Sequence, residues 1–255
     1  MTNSRSDGDA SYDFSAQRLF IDSDLSPSHT YSCDSSQANY LLNVLRMKAG
    51  DNIYVFNGRD GEWKAAIESG KKNKCTLEII EKVREQTKAQ DIEYLFAPVK
   101  RARLDYMIQK ATELGVSALK PVITHRTIVD RVKEDRMKAN AVEAAEQCGI
   151  LNIPEVYQPV KLSKLLDNWT GERVLVHCDE AAEIKSPIER LSMLEKGPIS
   201  ILIGPEGGFD AQERERLRGL KNAVSLSLGP RIMRADTAAI AALTLVNAVL
   251  GDWDK

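Results

Sequence analysis

The sequence predicts an α/β protein in two parts: a small β-barrel, then a parallel sheet with helices on both faces. Three observations lead there. Up to about Val83, short runs rich in β-branched and aromatic residues are punctuated by the turn pairs Asn57-Gly58 and Asp60-Gly61. Residues 85–91, EQTKAQD, are polar and lack apolar periodicity. Beyond them, short apolar runs alternate with segments of helical period, the pattern of strands joined by crossover helices.

Residues 1–17 are rich in Ser, Asp and Gly and bury too little apolar surface to offset the entropy of ordering, so they read as a loose tail. RLFI, IYVFNG, EWKAAIE and CTLEIIEKV read as strands of a barrel spanning 18–84. A helix from about Gln37 to Met47 interrupts them, with Ser35 or Ser36 as cap, Leu41, Leu42 and Leu45 on one face and Gly50 beyond its end. The second domain, 91–255, opens with the strand YLFAPV, and a helix carrying Leu104, Met107, Ile108, Ala111 and Leu114 on one face stops at Gly115. Next come the strand ALKPVIT, a helix over Glu134–Cys148 ended by Gly149, and the buried-type strands VLVHC and ISILIGP. Asp210 and Glu213 form a capping box that opens a helix to about Leu220. AVSLSLG is a last strand. TAAIAALTLVNAVLG is a last helix, apolar almost all round and therefore expected to be enclosed by its own domain or by a second subunit.

With 255 residues, 43% apolar and 28% charged, the chain has the composition of a globular protein of one or two domains. No run approaches the roughly 18 apolar residues of a membrane span, and the N-terminus lacks the apolar stretch of a signal peptide, which points to the cytoplasm. Cys33, Cys75, Cys148 and Cys178 are scattered, without CxxC or His/Cys ligand spacing, so no metal is expected and the thiols read as small apolar side chains. A net charge of -2 argues against general polyanion binding. Locally the balance differs: Lys100 to Asn140 holds ten Lys or Arg against five acids, a surplus that could line a phosphate track, although charge alone favours two solvated helix faces.

Two loops follow apolar strands and precede helices, the position at which open α/β sheets bind ligands. Gly204-Pro205-Glu206-Gly207-Gly208-Phe209 offers backbone that turns tightly and approaches a ligand closely. It is neither a dinucleotide fingerprint nor a Walker phosphate loop, and alone it fits a plain tight turn as well as a binding site. The second loop, LGPRIMRADT, puts Arg231, Arg234 and Asp236 into one short turn from Leu228 to Thr237. Such charge beside a packed sheet must pair or bind something. An Arg–Asp pair capping the last helix, with Asp236 or Thr237 as N-cap, is the structural alternative.

Together, GPEGGF, LxLGxRIxRxxTA, KRARLDYMIQKATELGV, EAAEQCG and VLRMKAGD resemble the 16S rRNA uridine N3-methyltransferases of the SPOUT superfamily, from about Arg18 to the C-terminus. The resemblance implies a PUA-like β-barrel for RNA and a SPOUT-type α/β domain tied in a trefoil knot. It implies S-adenosyl-L-methionine (SAM) as methyl donor, bent in a pocket formed by Leu202, Ile203, Gly204, Glu206, Gly207 and Gly208 of one loop and Leu226, Leu228, Gly229, Ile232 and Met233 of the other. His177, at a strand end, borders that pocket in this reading. Two positions depart from the family's usual residues: Met233 stands for Leu, a near-isosteric exchange, and Asp236 for Glu, which shortens the reach of the carboxylate but preserves a capping role.

Methylating a uracil N3 requires loss of the imide proton, alignment with the donor methyl and stabilisation of the negative charge left on the base. Arg231 and Arg234 are the candidates for that charge, and Asp236 orients an arginine or serves as base. Arg18, Arg46, Lys48, Arg101, Arg103 and Arg126 are the cations expected to grip RNA, whose target base must be unpaired or flipped. The implied partners are 16S rRNA within the small ribosomal subunit and a second copy of the chain, in a homodimer. Rival readings are a SPOUT methyltransferase for another RNA position and a noncatalytic RNA-binding assembly factor. A nucleotide-binding module would need the phosphate-binding lysine that both glycine loops lack.

Overall fold

A computed structural model describes residues 16–71, 74–129, 131–182 and 186–253, so all but the end of the expected tail lies outside the described residues. The chain divides into two compact units, residues 1–86 with 146–151, and residues 87–145 with 152–255.

In the first unit, β1 (Arg18–Phe20), β2 (Thr30–Ser32), β3 (Asn52–Phe56), β4 (Glu62–Lys71) and β5 (Lys74–Arg84) form one sheet in the order β1-β3-β4-β5-β2. Only the β1–β3 pair is parallel. β2 is too short to show an alternating pattern in sequence and exists through its ladder with Thr76–Glu78. The expected helix is shorter than its apolar spacing suggested: α1 (Ser35–Asn39) passes into one π-helical turn over Tyr40–Val44, and Arg46 turns left-handed at φ +58°. Its cap is Asp34 rather than Ser35 or Ser36. The Asp34 carboxylate accepts from Gln37 N–H while the Gln37 side chain accepts from Asp34 N–H, a reciprocal box that a serine one residue later cannot close. Ala38 and Leu41 bury their side chains with Leu19, Ile53, Val55 and Leu77 in the unit's core.

In the second unit every strand pair is parallel. The strands β6 (Ile92–Phe96), β7 (Ala118–Ile123), β8 (Glu155–Val156), β9 (Val160–Lys161), β10 (Val174–Cys178), β11 (Ile199–Ile203) and β12 (Ala223–Leu226) run in the order β12-β10-β11-β6-β7-β8, with β9 also on β7. Pro121 explains that division. β7 pairs with β8 through Ala118 and Leu119 and with β9 through Val122 and Ile123, and Pro121, between them, has no N–H to carry the ladder across.

Among the described residues six helices cover the sheet: α2 (Arg101–Glu113), α3 (Glu134–Cys148), α4 (Leu162–Asp167), α5 (Pro187–Ser192), α6 (Ala211–Arg218) and α7 (Ala235–Val249). The short pieces β8, β9, α4 and α5 carry too few residues for a readable period. One face of the sheet packs Tyr94, Phe96, Val176 and Ile201 against helical residues that include Met107, Ala239 and Leu243. The other packs Leu95, Leu175 and Leu202 with Leu166, Phe209 and Leu217. Among the described residues no helix is long and apolar enough to cross a membrane.

α7 is enclosed by its own domain along one side. Its alanines 238, 239 and 242 are buried, which lets it lie close to α2, α5 and β11. Asn247, fully buried near its end, donates to the carbonyls of Leu114 (2.9 Å) and Leu243 (3.0 Å) and accepts from Gln90 (3.0 Å). Asn247→Ala leaves the Leu114 carbonyl and the Gln90 amide without this partner, and we expect a loss of about 1–3 kcal/mol in urea denaturation; an unchanged midpoint would remove Asn247 as the pin of α7.

Candidate functional site

The strand order reverses at β10: β11 lies between β10 and β6, while β12 lies outside β10. Ligands of open parallel sheets bind beyond the carboxyl ends of strands at such a point. The ladders bring Cys178 level with both Ile203 and Leu226, so the segments that leave the three strands emerge side by side. They border an open cavity of about 560 Å³.

Ile203, Leu226, Leu228 and Met233 give this cavity apolar walls, and Gly204, Gly208 and Gly229 give it bare backbone. Gly208 sits at φ +66°, where a Cβ would also collide with the Glu180 carboxylate, and a Cβ on Gly204 would come within 3.0 Å of the Phe209 ring. Past the end of β10, the buried Asp179 carboxylate accepts from Arg214 Nε (3.1 Å), Arg218 Nη2 (3.3 Å) and Ala181 N–H (3.0 Å). Glu180 pairs with the same Arg214. Two arginines of α6 thus balance two carboxylates on the cavity wall. Burial pushes the Cys178 thiol up to about 12, which keeps it protonated and excludes it as a nucleophile at neutral pH.

Of the residues singled out in the sequence, Ile203, Gly204, Gly208, Leu226, Leu228, Gly229, Arg231 and Met233 meet on this lining. Leu202 does not: it is buried on the opposite face of the sheet. Glu206 instead forms an ion pair with Arg103 (2.8 Å), the Gly207 carbonyl accepts from Arg126 Nη1 (2.6 Å), and Ile232 is 89% exposed. The structure adds Cys178, Asp179, Glu180, Phe209 and Ser227. A signal for Asp179 and Glu180 existed, because they follow VLVHC as GPEGGF follows its own strand.

His177 is buried away from this lining. Its Nε2 lies 2.9 Å from Ser225 Oγ, and its Nδ1 has no hydrogen-bond partner. Strand alternation turns Cys178, not His177, toward the cavity. Burial lowers the His177 imidazole to about 4, with Asp179 opposing and Arg218 adding to the shift.

Arg234 occupies the N-cap position of α7, so the alternative in which Asp236 or Thr237 is the cap does not hold. Asp236 lies in the first turn, accepting from Thr237 N–H (2.9 Å), and as a carboxylate at a helix N-terminus it is favourably placed. Among the described residues no ion pair links Asp236 to Arg231 or Arg234.

Arg18 is not a surface cation. It is 3% exposed, with Nε 2.7 Å from Glu62 Oε1 and the guanidinium over the Tyr54 ring, so phosphate cannot reach it without breaking a buried pair. Arg46, Lys48, Arg101 and Arg126 are exposed. The basic surplus after Lys100 is partly consumed at home, by Lys110–Glu113 (2.6 Å), Lys120–Glu93 (2.6 Å) and Arg136–Asp105 (2.5 Å); Asp130 lies outside the described residues.

Residues 86–247 match the family model of the RNA methyltransferase domain, and residues 34–80 that of the RNA methyltransferase PUA domain. The chain is 32% identical to the ribosomal RNA small subunit methyltransferase E of Rickettsia conorii, over 90% of this chain and 94% of that one. It is 30% identical to the enzyme of the same name from Bacillus subtilis, over 91% and 96%. A Neisseria gonorrhoeae ribosomal RNA small subunit methyltransferase E, solved bound to S-adenosyl methionine, superposes with a TM-score of 0.82 at 27% identity, over 93% of this chain and 99% of that one. A Legionella pneumophila protein solved with bound SAM gives 0.80 at 30% identity, over 91% and 97%. The architecture is a SPOUT-type α/β methyltransferase domain preceded by a PUA-like domain.

A pH dependence follows from His177. Its pKa is lowered on folding, so the unfolded chain binds the extra proton and stability falls as pH drops from 6.5 to about 4. Between about pH 7 and about pH 5 we expect wild type to lose about 2 kcal/mol more than His177→Gln in parallel urea titrations. Equal losses would show that His177 is not held neutral.

Proposed function

The chain belongs to the ribosomal RNA small subunit methyltransferase E family, and on that premise we propose that this SAM-dependent rRNA methyltransferase acts on N3 of a uridine in 16S rRNA, in the cytoplasm. The reading is carried by one observation: three parallel strand ends enclose a cavity walled by apolar side chains and glycine backbone, with Arg231 on its lining.

The residues present suit SAM. Ile203, Leu226, Leu228 and Met233 offer apolar surface to a flat adenine, and the loops around Gly204, Gly208 and Gly229 bring backbone polar groups close enough to read its edge. Bound there, SAM supplies an electrophilic methyl group on a sulfonium. The protein's own task is to orient the uracil and stabilise the charge that its O2–N3–O4 system acquires when N3 gives up its proton. The position of Arg231 on the cavity lining supports this role for it, and Arg234 adds a second exposed guanidinium at the start of α7. Asp236, spending one oxygen on Thr237 N–H in the first turn of α7, fits stabilisation of the helix N-terminus better than proton abstraction. We assign no base.

For RNA, domain 18–84 supplies Arg46 and Lys48, and domain 91–255 supplies Arg101, Arg103 and Arg126. The last two also touch the first glycine loop, so a phosphate bound by them acts close to the cofactor wall. We further propose a homodimer, supported by the half-buried Ile240 and Leu245 along α7 and the exposed Ile188 and Met193 on and after α5.

Incubating undermethylated small subunits and labelled SAM with the protein, then digesting the rRNA, is expected to yield 3-methyluridine; another methylated nucleoside would overturn the assignment to N3. Arg231→Ala is expected to lower kcat by about 10²–10³ with SAM affinity little changed, and weakened SAM binding alone would recast Arg231 as a cofactor ligand. Light scattering is expected to give twice the chain mass, and a monomer would remove the dimer.

A further inference from the structure

A second cavity, of about 780 Å³, opens on the other side of the β12 end and shares Leu226 and Ser227 with the first. Its polar lining is cationic and hydroxylic, with Arg190 at the end of α5, Arg218 at the end of α6, Ser225 and Ser227; Leu226 and Pro187 contribute apolar surface. Among the described residues that line it there is no carboxylate. Asp179 is buried and accepts from Arg214 and Arg218, so it holds the Arg218 side chain in place and offsets its charge, which leaves Arg190 as the cation of this lining that makes no ion pair among the described residues.

We propose that this cavity is a subsite for a nucleotide of the substrate RNA strand flanking the target base. Two guanidiniums and two hydroxyls are a phosphodiester-binding set, since Arg presents paired donors to phosphate oxygens. A nucleotide places its phosphate on the arginines and its ribose or base on Pro187. The shared wall at Leu226 and Ser227 sets this cavity beside the one that suits SAM, so an RNA strand whose flipped base reaches the donor methyl passes close to it. Neither arginine was singled out by the basic run, because Arg190 and Arg218 lie far beyond it in sequence.

The inference rests on the reading that the substrate is RNA. It is tested with the full chain, a uridine-containing single-stranded 16S rRNA fragment as probe, and fluorescence anisotropy over a range of salt. Arg190→Gln and Arg218→Gln are each expected to weaken RNA binding several-fold and to flatten the slope of log K against log salt by about 0.7, the loss of one single-strand phosphate contact. SAM affinity by calorimetry is expected to stay at the wild-type value in Arg190→Gln, whose side chain makes no ion pair among the described residues. Wild-type RNA affinity and slope in Arg190→Gln would overturn the subsite. So would weakened SAM binding with unchanged 5′-methylthioadenosine binding, which would give the arginines to the cofactor's carboxylate. Absence of RNA binding by wild type would overturn the function reading and this one together, whereas wild-type binding with indifferent variants removes only the subsite.

Discussion

β10 is clamped between β11 and β12 in a continuous parallel register, Val174–Cys178 against Ile199–Ile203 and Leu175–Cys178 against Ala223–Leu226. A parallel ladder fixes strand ends at one level, so Asp179, Gly204 and Ser227 leave the sheet together, and the cavity is the space between their paths. A slip of one residue would turn Cys178 away and bring the His177 imidazole to the lining, because side chains alternate faces. Leu175, Val176, Ile201 and Leu202, all fully buried, hold the register by packing both faces.

Charge around the cavity is arranged by the same constraint. Asp179 has a fully buried side chain, which is costly for a carboxylate unless donors surround it. Arg214 and Arg218, one turn apart on α6, supply them, while the capping box of Asp210 and Glu213 fixes where that helix begins. Helix start, arginine placement and cavity wall therefore form one connected arrangement. Neutralised in this way, the acids leave the glycine loops to contact a ligand through backbone, and the arginines outside, Arg231 and Arg190, remain available for anionic groups.

The cations that matter are selected by position more than by number. Arg18 is among the cations expected to grip phosphate, yet Glu62, forty-four residues on, pairs with it inside the first unit. Lys110, Lys120 and Arg136 are likewise engaged by nearby carboxylates. Arg103 and Arg126 are turned to the glycine loop instead, which ties the basic stretch after Lys100 to the cavity it flanks.

The sequence by itself determined the features that act over a few residues. The helix stops at Gly115 and Gly149, with φ of +76° and +65°, the Asp210–Glu213 box, the span Glu134–Cys148 and the glycine loops after apolar strands are all local consequences of backbone preference and period. The motifs GPEGGF and LxLGxRIxRxxTA carried the family with them. Tertiary structure alone decided which strands are neighbours, that Pro121 divides β8 from β9, that Asp34 rather than a serine caps α1, that Cys178 and not His177 faces the cavity, and that Arg18 is buried. Each depends on a partner distant in sequence, a ladder or a carboxylate, and the free energy of such contacts is set by packing that no local pattern encodes.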